Sequence, residues 1–260
     1  MSFQTLLSDD AAPVRTLTVN RPDVLNALNG QVLVELDQAF AAVEQTPGLR
    51  CVILTGTGDK AFAAGADIAA MAQMGPEEAR RFSDLGRRLA ERVESLAMPV
   101  IAAVNGFALG GGLELALLCD FILASSNAKL GQPEVNVGVL PGFGGTQRLA
   151  RRIGVGPARQ LLYTGELIGA EQARALGLVN EVTALPDLLP RARAVAERIA
   201  TRAPLAVAAV KRAIRAGEDL PLDRGVLFEQ GEFAALFGTT DQKEGMQAFL
   251  QKRPPKWEGK

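Results

Sequence analysis

The chain has 260 residues, of which 48% are hydrophobic, and its formal net charge is -1. This length is sufficient to bury a sizeable core without disulfides, and the absence of long lysine or arginine runs argues against nucleic acid or an anionic membrane as the main partner. The chain contains no histidine, which removes the usual base of serine and cysteine hydrolases and the commonest zinc ligand. We therefore expect acid/base chemistry to fall mainly to carboxylates, with no metal site.

The first part of the chain alternates between short β-rich runs and helix-like stretches, a pattern typical of an α/β fold. The predicted strands are 14–19, 51–55, 100–104 and 121–124, and the predicted helices are 30–44 and 76–96. The second of these helices carries the densest charge cluster of the chain, from Glu77 to Glu94. Because its arginines are balanced by acidic residues, we interpret the cluster as a solvated helix face.

After about Leu185 the pattern becomes helical only, with helices predicted at 188–200, 204–216, 222–236 and 240–251. We therefore divide the chain into an α/β core domain of residues 1–195, which would hold the active site, and a helical C-terminal region of residues 196–260.

The cysteines and the N-terminus bear on the compartment. Cys51 and Cys119 lie in apolar runs, and the N-terminal sequence lacks a basic region followed by an apolar core. No uninterrupted run of about 18 apolar residues occurs, so we expect no membrane span. The prediction is a reduced, cytoplasmic protein.

Three consecutive glycines, Gly110 to Gly112, separate a predicted strand ending near Val104 from an apolar helix. Glycines at a helix start allow close approach of a ligand and leave free N–H groups, which suits an anion or an oxyanion. The alternative is a tight turn without a ligand, which is favoured for such a loop taken alone. The spacing matches neither a dinucleotide fingerprint nor a P-loop.

Two glutamates, Glu114 and Glu134, are surrounded by glycines and apolar residues. Poor hydration raises the pKa of a carboxyl group toward neutrality, and two such groups facing one substrate can give and take a proton. The alternatives are a surface glutamate that favours the helix dipole at Glu114 and a loop or N-cap carboxylate at Glu134. Taken singly, the residues leave both interpretations open.

Two further loops are candidates. Residues 61–68 could supply another backbone N–H donor, although a plain crossover to a helix capped by Asp67 is favoured on that loop alone. Residues 142–146 precede a predicted helix at 147–152 and contain Phe143, which could line a pocket. A simple N-terminal turn is the alternative for this second loop.

Taken together, these segments resemble the enoyl-CoA hydratase/isomerase, or crotonase, family. The matching segments are 20–28, 61–68, 102–116, 131–134 and 141–148. The resemblance runs nearly end to end, and it implies an α/β spiral of repeated β-β-α units. It also implies that the C-terminal helices build homotrimers, often paired into homohexamers.

The resemblance also implies roles for residues. The backbone N–H groups of Ala66 and Gly111 would form an oxyanion hole for the thioester carbonyl. Glu114 and Glu134 match both catalytic glutamates of the family's hydratases. Glu114 would orient and deprotonate water for attack on C3 of a trans-2-enoyl-CoA, and Glu134 would protonate C2.

Other positions match substrate-binding parts of the family, and coenzyme A would be part of the substrate rather than a separate cofactor. The implied substrate-binding residues are Ala64, Asp67, Ile68, Gly110, Pro133, Gly142, Phe143 and Lys252, with Lys256 as the alternative lysine.

The leading functional hypothesis is a reversible enoyl-CoA hydratase, short-chain by its motifs, acting in fatty-acid or related acyl-CoA degradation. An enoyl-CoA isomerase is the first alternative, because the site of this family can shuttle a proton with one glutamate, and the isomerase branch typically keeps only the equivalent of Glu134. A non-catalytic RNA-binding relative is the second, and it would show salt-sensitive binding to RNA. The presence of both glutamates favours the hydratase.

Overall fold

The computed structural model describes residues 3–260, which form ten strands, eleven α-helices and two 3₁₀ helices. The strands are β1 (Leu6–Asp9), β2 (Val14–Val19), β3 (Cys51–Gly56), β4 (Ala61–Ala63), β5 (Val100–Val104), β6 (Phe107–Leu109), β7 (Phe121–Ser125), β8 (Lys129–Gly131), β9 (Leu167–Gly169) and β10 (Glu181–Thr183). The α-helices are α1 (Gly30–Glu44), α2 (Ile68–Met71), α3 (Pro76–Ser95), α4 (Gly111–Leu117), α5 (Gly145–Ile153), α6 (Val155–Thr164), α7 (Ala170–Ala175), α8 (Leu185–Ala200), α9 (Pro204–Gly217), α10 (Leu222–Leu236) and α11 (Thr240–Leu250). The 3₁₀ helices are Pro22–Val24 and Pro133–Val137.

The strands form two sheets that the chain visits in turn. The larger sheet has the order β1-β2-β3-β5-β7-β10, and the smaller has the order β4-β6-β8-β9. From β3 to β4, from β5 to β6 and from β7 to β8, the chain crosses from the larger sheet to the smaller one. Pairing is parallel except between β1 and β2 and between β8 and β9. The result is the spiral of β-β-α turns that the resemblance implied.

The larger sheet is buried because apolar helices cover both of its faces. All six residues of β3 are buried, as expected for a parallel strand inside a sheet. On one face, Ile53 and Ile101 pack against Leu188 and Ala192 of α8. On the other face, Val52 and neighbouring side chains join the main core, to which α1 and α3 also contribute.

The longer elements agree with the sequence predictions. The bounds of β2, β5, α1 and α10 are those predicted, and the other predicted strands and helices differ by a few residues at their ends. The strands β4, β6 and β8 were not predicted, because three residues are too few to establish a period. Residues 61–63 form a strand of the smaller sheet, whereas we expected them in a loop from the sequence.

Helix α3 confirms the interpretation of its charge cluster as solvated. Glu77 pairs with Arg80, and Asp84 pairs with Arg87, all through largely exposed side chains. The opposite face of the helix is apolar and packs into the main core.

After β10 the chain is helical, as predicted. The division between residues 195 and 196 falls inside α8, whose apolar side packs on the larger sheet. Helix α10, by contrast, has no buried residue in the isolated chain. The division into two domains stays a prediction.

Candidate active site

Glu114 lies in the first turn of α4, and its side chain is buried, with 2% of the residue exposed. Its Oε1 accepts hydrogen bonds from the backbone N–H groups of Phe143, at 2.7 Å, and Gly145, at 2.6 Å. Burial raises the pKa of Glu114, whereas these N–H donors act in the opposite direction. They do so because an N–H donor stabilises the ionised carboxylate. The surface position considered from the sequence is therefore wrong.

Glu134 lies in the first turn of the 3₁₀ helix Pro133–Val137 and is half-buried. Burial and, to a smaller extent, the charge of Glu114 raise the pKa of Glu134 to about 7, although its own backbone N–H acts in the opposite direction. The two carboxyl groups therefore affect each other electrostatically. Pro133, predicted to contact substrate, is the first residue of the same 3₁₀ helix.

Gln132, which we did not select from the sequence, contacts Glu134 and lies near Glu114. One end of its fully buried amide lies 2.9 Å from Oε1 and 3.1 Å from Oε2 of Glu134. Its Nε2 and the Cγ of Glu114 both lie within 3 Å of the position that a Cβ on Gly145 would occupy. An amide nitrogen facing Glu134 would donate to the carboxylate, and an amide oxygen would accept from the protonated acid. Gln132 can thus accommodate either protonation state of Glu134.

Gly110 brings the backbone close to Glu134. Its φ is +50°, and a Cβ at this position would lie 2.9 Å from Oε1 of Glu134. Both observations require glycine, because a side chain would be strained by the left-handed backbone and would press on the carboxylate. The signal was visible in the sequence as the first of three glycines, but the contact with Glu134 was not.

The backbone N–H of Ala66 lies close to Gly111. The bridge between Leu28 and Ala66 uses the carbonyl of Gly65 and the N–H of Asp67, so the N–H of Ala66 is left out of the pairing. Gly111 begins α4, and its N–H has no acceptor within that helix. A Cβ at Gly111 would lie 3.5 Å from the Ala66 nitrogen. The structure thus brings Ala66 close to Gly111, and their joint role as an oxyanion hole stays a prediction.

The loop that carries the N–H donors to Glu114 is held from two sides. Ser83 on α3 donates its hydroxyl to the carbonyl of Gly142. Arg148 on α5 donates to the carbonyl of Phe143 at 3.0 Å and pairs with Glu94 at 2.6 Å. The positive charge of Arg148 also lowers the pKa of Glu114. Neither Ser83 nor Arg148 was selected from the sequence, although Arg148 ends one of the family-like segments.

The remaining predicted substrate contacts lie either in the loop of residues 64–68 or in the segment after α11. Asp67 caps α2 through Ala70 and pairs with Arg21 at 3.1 Å, so the predicted cap is present. Ala64 and Ile68 lie two residues before and two residues after Ala66 in the chain, and Ile68 is 55% exposed. Their contact with substrate stays a prediction.

Lys252 is the predicted substrate contact that lies after α11. It follows α11 with an exposed side chain and has a φ of +54°. The adjacent tail contacts α11 through Glu244 and the end of α8 through Trp257, which donates to the carbonyl of Thr201. The described hydrogen bonds do not join Lys252 to the loop that holds Ala64, so its contact with coenzyme A stays a prediction.

An α/β spiral that encloses two interacting carboxyl groups and a pair of backbone donors defines a class of acid/base site. The family model for enoyl-CoA hydratase/isomerase matches residues 9–260. The chain belongs to the enoyl-CoA hydratase/isomerase family.

Relatives with curated names agree with this assignment. A crotonyl-CoA hydratase from Syntrophomonas wolfei is 48% identical, and a short-chain-enoyl-CoA hydratase from Clostridium acetobutylicum is 46% identical, each over 97% of both chains. The crystal structure of an enoyl-CoA hydratase from Bacillus anthracis is 42% identical and superposes with a TM-score of 0.96, covering 99% of this chain and 100% of that one. The crotonase-like fold is thereby confirmed.

Proposed function

We propose that this protein is an enoyl-CoA hydratase that reversibly adds water across the 2,3 double bond of a short trans-2-enoyl-CoA. The observation that carries the proposal is a pair of interacting glutamates whose pKa values are both raised, of which Glu114 receives two backbone N–H donors. The names of the two relatives, crotonyl-CoA hydratase and short-chain-enoyl-CoA hydratase, support the reaction and the short acyl chain. We assign the reaction to fatty-acid or related acyl-CoA degradation.

The different surroundings of the two glutamates assign their roles. The N–H groups of Phe143 and Gly145 favour the ionised form of Glu114, which suits a base. Glu134, with a pKa raised to about 7, is protonated in a large fraction of molecules at neutral pH, which suits an acid. Environments that separate two carboxyl groups in this way are typical of acid/base pairs.

The reaction balances with these groups and solvent water, which exchanges protons with both glutamates after each turnover and so restores ionised Glu114 and protonated Glu134. Glu114 takes a proton from water as the water oxygen forms a bond to C3, and the electron pair of the double bond moves toward the thioester oxygen. The N–H groups of Ala66 and Gly111 stabilise the resulting enolate. Glu134 then gives its proton to C2, and the reverse sequence dehydrates a 3-hydroxyacyl-CoA. The proposal requires no metal or separate cofactor, because coenzyme A is part of the substrate.

Replacing either glutamate by glutamine tests this proposal. We expect Glu114→Gln and Glu134→Gln each to lower the hydration rate by about 10²- to 10⁴-fold, because a glutamine amide neither accepts nor gives the proton. The measurement is the loss of the conjugated thioester absorbance of crotonyl-CoA. The exposed Glu218 supplies the control, and Glu218→Gln should retain the wild-type rate.

Near-normal turnover in either site variant would refute the assigned roles. A wild-type protein that leaves crotonyl-CoA unchanged but shifts the double bond of a 3-enoyl-CoA would instead be an isomerase. Salt-sensitive RNA binding without either activity would support the non-catalytic alternative.

For the assembly, we propose a homotrimer or homohexamer formed through the C-terminal helices. Helices α9, α10 and α11 expose large apolar side chains in the isolated chain. Among these are Val210, Ile214, Leu222, Phe233, Phe249 and Leu250, with exposed fractions from 58% to 84%. Large apolar side chains exposed in this number mark an interaction site, and they support burial against further copies of the chain.

For the compartment, cytoplasmic location stays a prediction. Within residues 3–260, no helix is both long and apolar enough to cross a bilayer. Cys51 and Cys119 are free and buried, and burial raises the pKa of the Cys51 thiol to about 12. Both thiols therefore stay protonated and unreactive.

A further inference from the structure

Both N–H donors that hold the Glu114 carboxylate come from one turn of the chain. The backbone N–H groups of Phe143 and Gly145 donate to the same oxygen, Oε1, at 2.7 Å and 2.6 Å. Gly144 lies between them with a φ of +98°, a left-handed conformation that favours glycine. Because Oε1 is held by both donors, the turn also fixes the direction in which Oε2 points. A displacement of the turn would therefore displace the proposed base.

The guanidinium of Arg148 lies directly against this turn. Its Nη1 donates to the carbonyl of Phe143 at 3.0 Å, and a Cβ on Gly144 would lie 2.1 Å from the same nitrogen. That carbonyl belongs to the peptide between Phe143 and Gly144, which is flanked by the two peptides whose N–H groups donate to Glu114. The described hydrogen bonds join Arg148 to the turn and not to the carboxylate itself. Arg148 therefore orients Glu114 through the turn.

Arg148 is in turn fixed by α3. Its Nε donates to Oε1 of Glu94 at 2.6 Å, and the two side chains are only 26% and 25% exposed. Glu94 also pairs with Arg215 of α9 at 3.4 Å. The planar guanidinium can serve two acceptors in a fixed geometry, whereas a lysine ammonium is a point charge on a flexible stem. Arg148 thus connects the turn to α3 in a way that lysine would not reproduce.

The charge of Arg148 acts on Glu114 in the same direction as the turn. Burial raises the pKa of Glu114, whereas the N–H donors of the turn and the positive charge of Arg148 lower it. A second charged group near Glu114 is Glu134 of the 3₁₀ helix, whose pKa the charge of Glu114 raises. The strands β4, β6 and β7, which also pack on α4, contain no titratable side chain. Arg148 is therefore a cation that favours the ionised form of Glu114.

We propose that Arg148 is a positioning residue for the proposed base, because it holds the turn that directs the Glu114 carboxylate. This inference rests on the proposed enoyl-CoA hydration. The direction of Oε2 matters when water is deprotonated, and binding of the acyl-CoA does not require it. Loss of the guanidinium should therefore lower kcat and leave KM nearly unchanged.

The test compares Arg148→Gln and Arg148→Lys with the wild-type protein in the hydration of crotonyl-CoA. We expect Arg148→Gln to lower kcat by about 10- to 100-fold, the effect of a small misplacement of a catalytic group, and to change KM by less than about twofold. Arg148→Lys keeps the charge but loses the planar fork, so we expect a kcat about threefold or more below that of the wild type.

Arg152→Gln is the matched control. Arg152 is half-buried on the same helix and also donates to a backbone carbonyl, that of Cys119, at 3.3 Å. It should retain the wild-type kcat, because its carbonyl lies outside the turn. An equal fall of kcat in Arg152→Gln would show that general loosening of α5 causes the loss, and it would overturn the proposal.

A wild-type kcat in a folded Arg148→Gln protein would overturn the proposal as well. So would a loss of rate that comes from KM alone, since that is the result expected for a residue that only binds substrate. If Arg148→Gln fails to fold, which circular dichroism would show, Arg148→Lys takes its place in the test. An unchanged kcat in that folded variant would then refute the positioning role.

Carbon-13 NMR separates this inference from the proposed reaction. Titration of the glutamate carboxyl carbons in the free protein requires no turnover, and the Glu114 resonance is the one absent from Glu114→Gln. We expect Arg148→Gln to raise the pKa of Glu114, because the charge and the held N–H donors both favour the ionised form. Arg152→Gln should leave that pKa unchanged.

The two failures are distinguishable by this titration. An unchanged pKa of Glu114 in Arg148→Gln would refute the positioning role whether or not the wild-type protein is a hydratase. A raised pKa in a protein that hydrates no enoyl-CoA would support the hold of Arg148 on Glu114 and refute the proposed reaction alone.

Discussion

The raised pKa of Glu134 lowers the free energy of unfolding at any pH at which this carboxyl group is ionised. The unfolded chain ionises this carboxyl near 4.5, whereas the folded protein ionises it near 7. Below pH 4.5 the group is protonated in both states and has no effect on stability. Between pH 4.5 and pH 7 the loss of stability grows with pH. Above pH 7 it is complete, because the folded protein must then hold an unfavourable charge at Glu134. The proposed acid is thus formed at the expense of stability.

Glu134→Gln should reveal this loss of stability. At about pH 8 we expect the substitution to raise the free energy of unfolding by about 1–2 kcal/mol, less than the full pKa difference because the group is only half-buried and partly screened. At about pH 4 we expect almost no change, since glutamic acid is then neutral like glutamine. Urea unfolding at the two pH values measures the difference. An equal effect at both pH values would show that ionisation is not its cause.

Among the elements, α9 is attached to the core partly through a buried cation. The Lys211 ammonium donates to the carbonyls of Val93, at 3.3 Å, and Met98, at 3.2 Å, and to a carboxylate oxygen of Asp120 at 2.8 Å. That same oxygen also accepts from the backbone N–H of Val100. Lys211 therefore joins α9 to the end of α3 and to the start of β5. Without Lys211, the carbonyls of Val93 and Met98 and the carboxylate of Asp120 would lose this hydrogen-bond donor.

Lys211→Met should accordingly be strongly destabilising. Loss of one partner from a buried ion pair costs about 3 kcal/mol or more, because the remaining charge and carbonyls are left without a partner. The adjacent Arg212 supplies the control, since its side chain is 53% exposed where it pairs with Glu232. Arg212→Met should cost about 1 kcal/mol or less. Comparable losses in the two variants, measured by urea unfolding, would argue against the role of the buried junction.

At the scale of the whole molecule, large apolar side chains on α9, α10 and α11 are exposed to solvent in the isolated chain. Helix α10 has no buried residue, and Leu222 at its start is 84% exposed. A helix with such side chains is stable in water only when another surface covers it. We therefore expect the C-terminal helices to be stable only in the assembly, and the assembly to form only when these helices are folded.

Light scattering after size-exclusion chromatography tests the assembly. We expect a mass of about three or six times the 27.5 kDa chain. Phe249→Glu should lower this mass, because it places a charge on the C-terminal apolar surface, where Phe249 is 83% exposed. Tyr163→Glu on α6 is the control, since Tyr163 is 73% exposed but lies outside that surface. A monomeric wild-type protein would contradict the proposal.

The sequence predicted the long elements and the candidate carboxylates for definite physical reasons. Helices α1 and α10 and strands β2 and β5 extend over enough residues for their apolar periodicity to be recognised. Glu114 and Glu134 could be selected because ionisable residues are rare in such apolar surroundings. The ordered family-like segments then specified which loops accompany them. Local composition thus determined the fold class, and the identity and order of a few residues determined the candidate chemistry.

Tertiary structure alone decided how these residues act on one another. The contacts of Phe143 with Gly86 and of Lys211 with Asp120 depend on how distant segments of the chain pack together. Both pairs are separated by more than fifty residues, and neither has a periodic signature. The same packing excludes water from Glu114 and so raises its pKa. Residue type can be read from the chain, but distance, burial and the electrostatic coupling they cause exist only once the chain is folded.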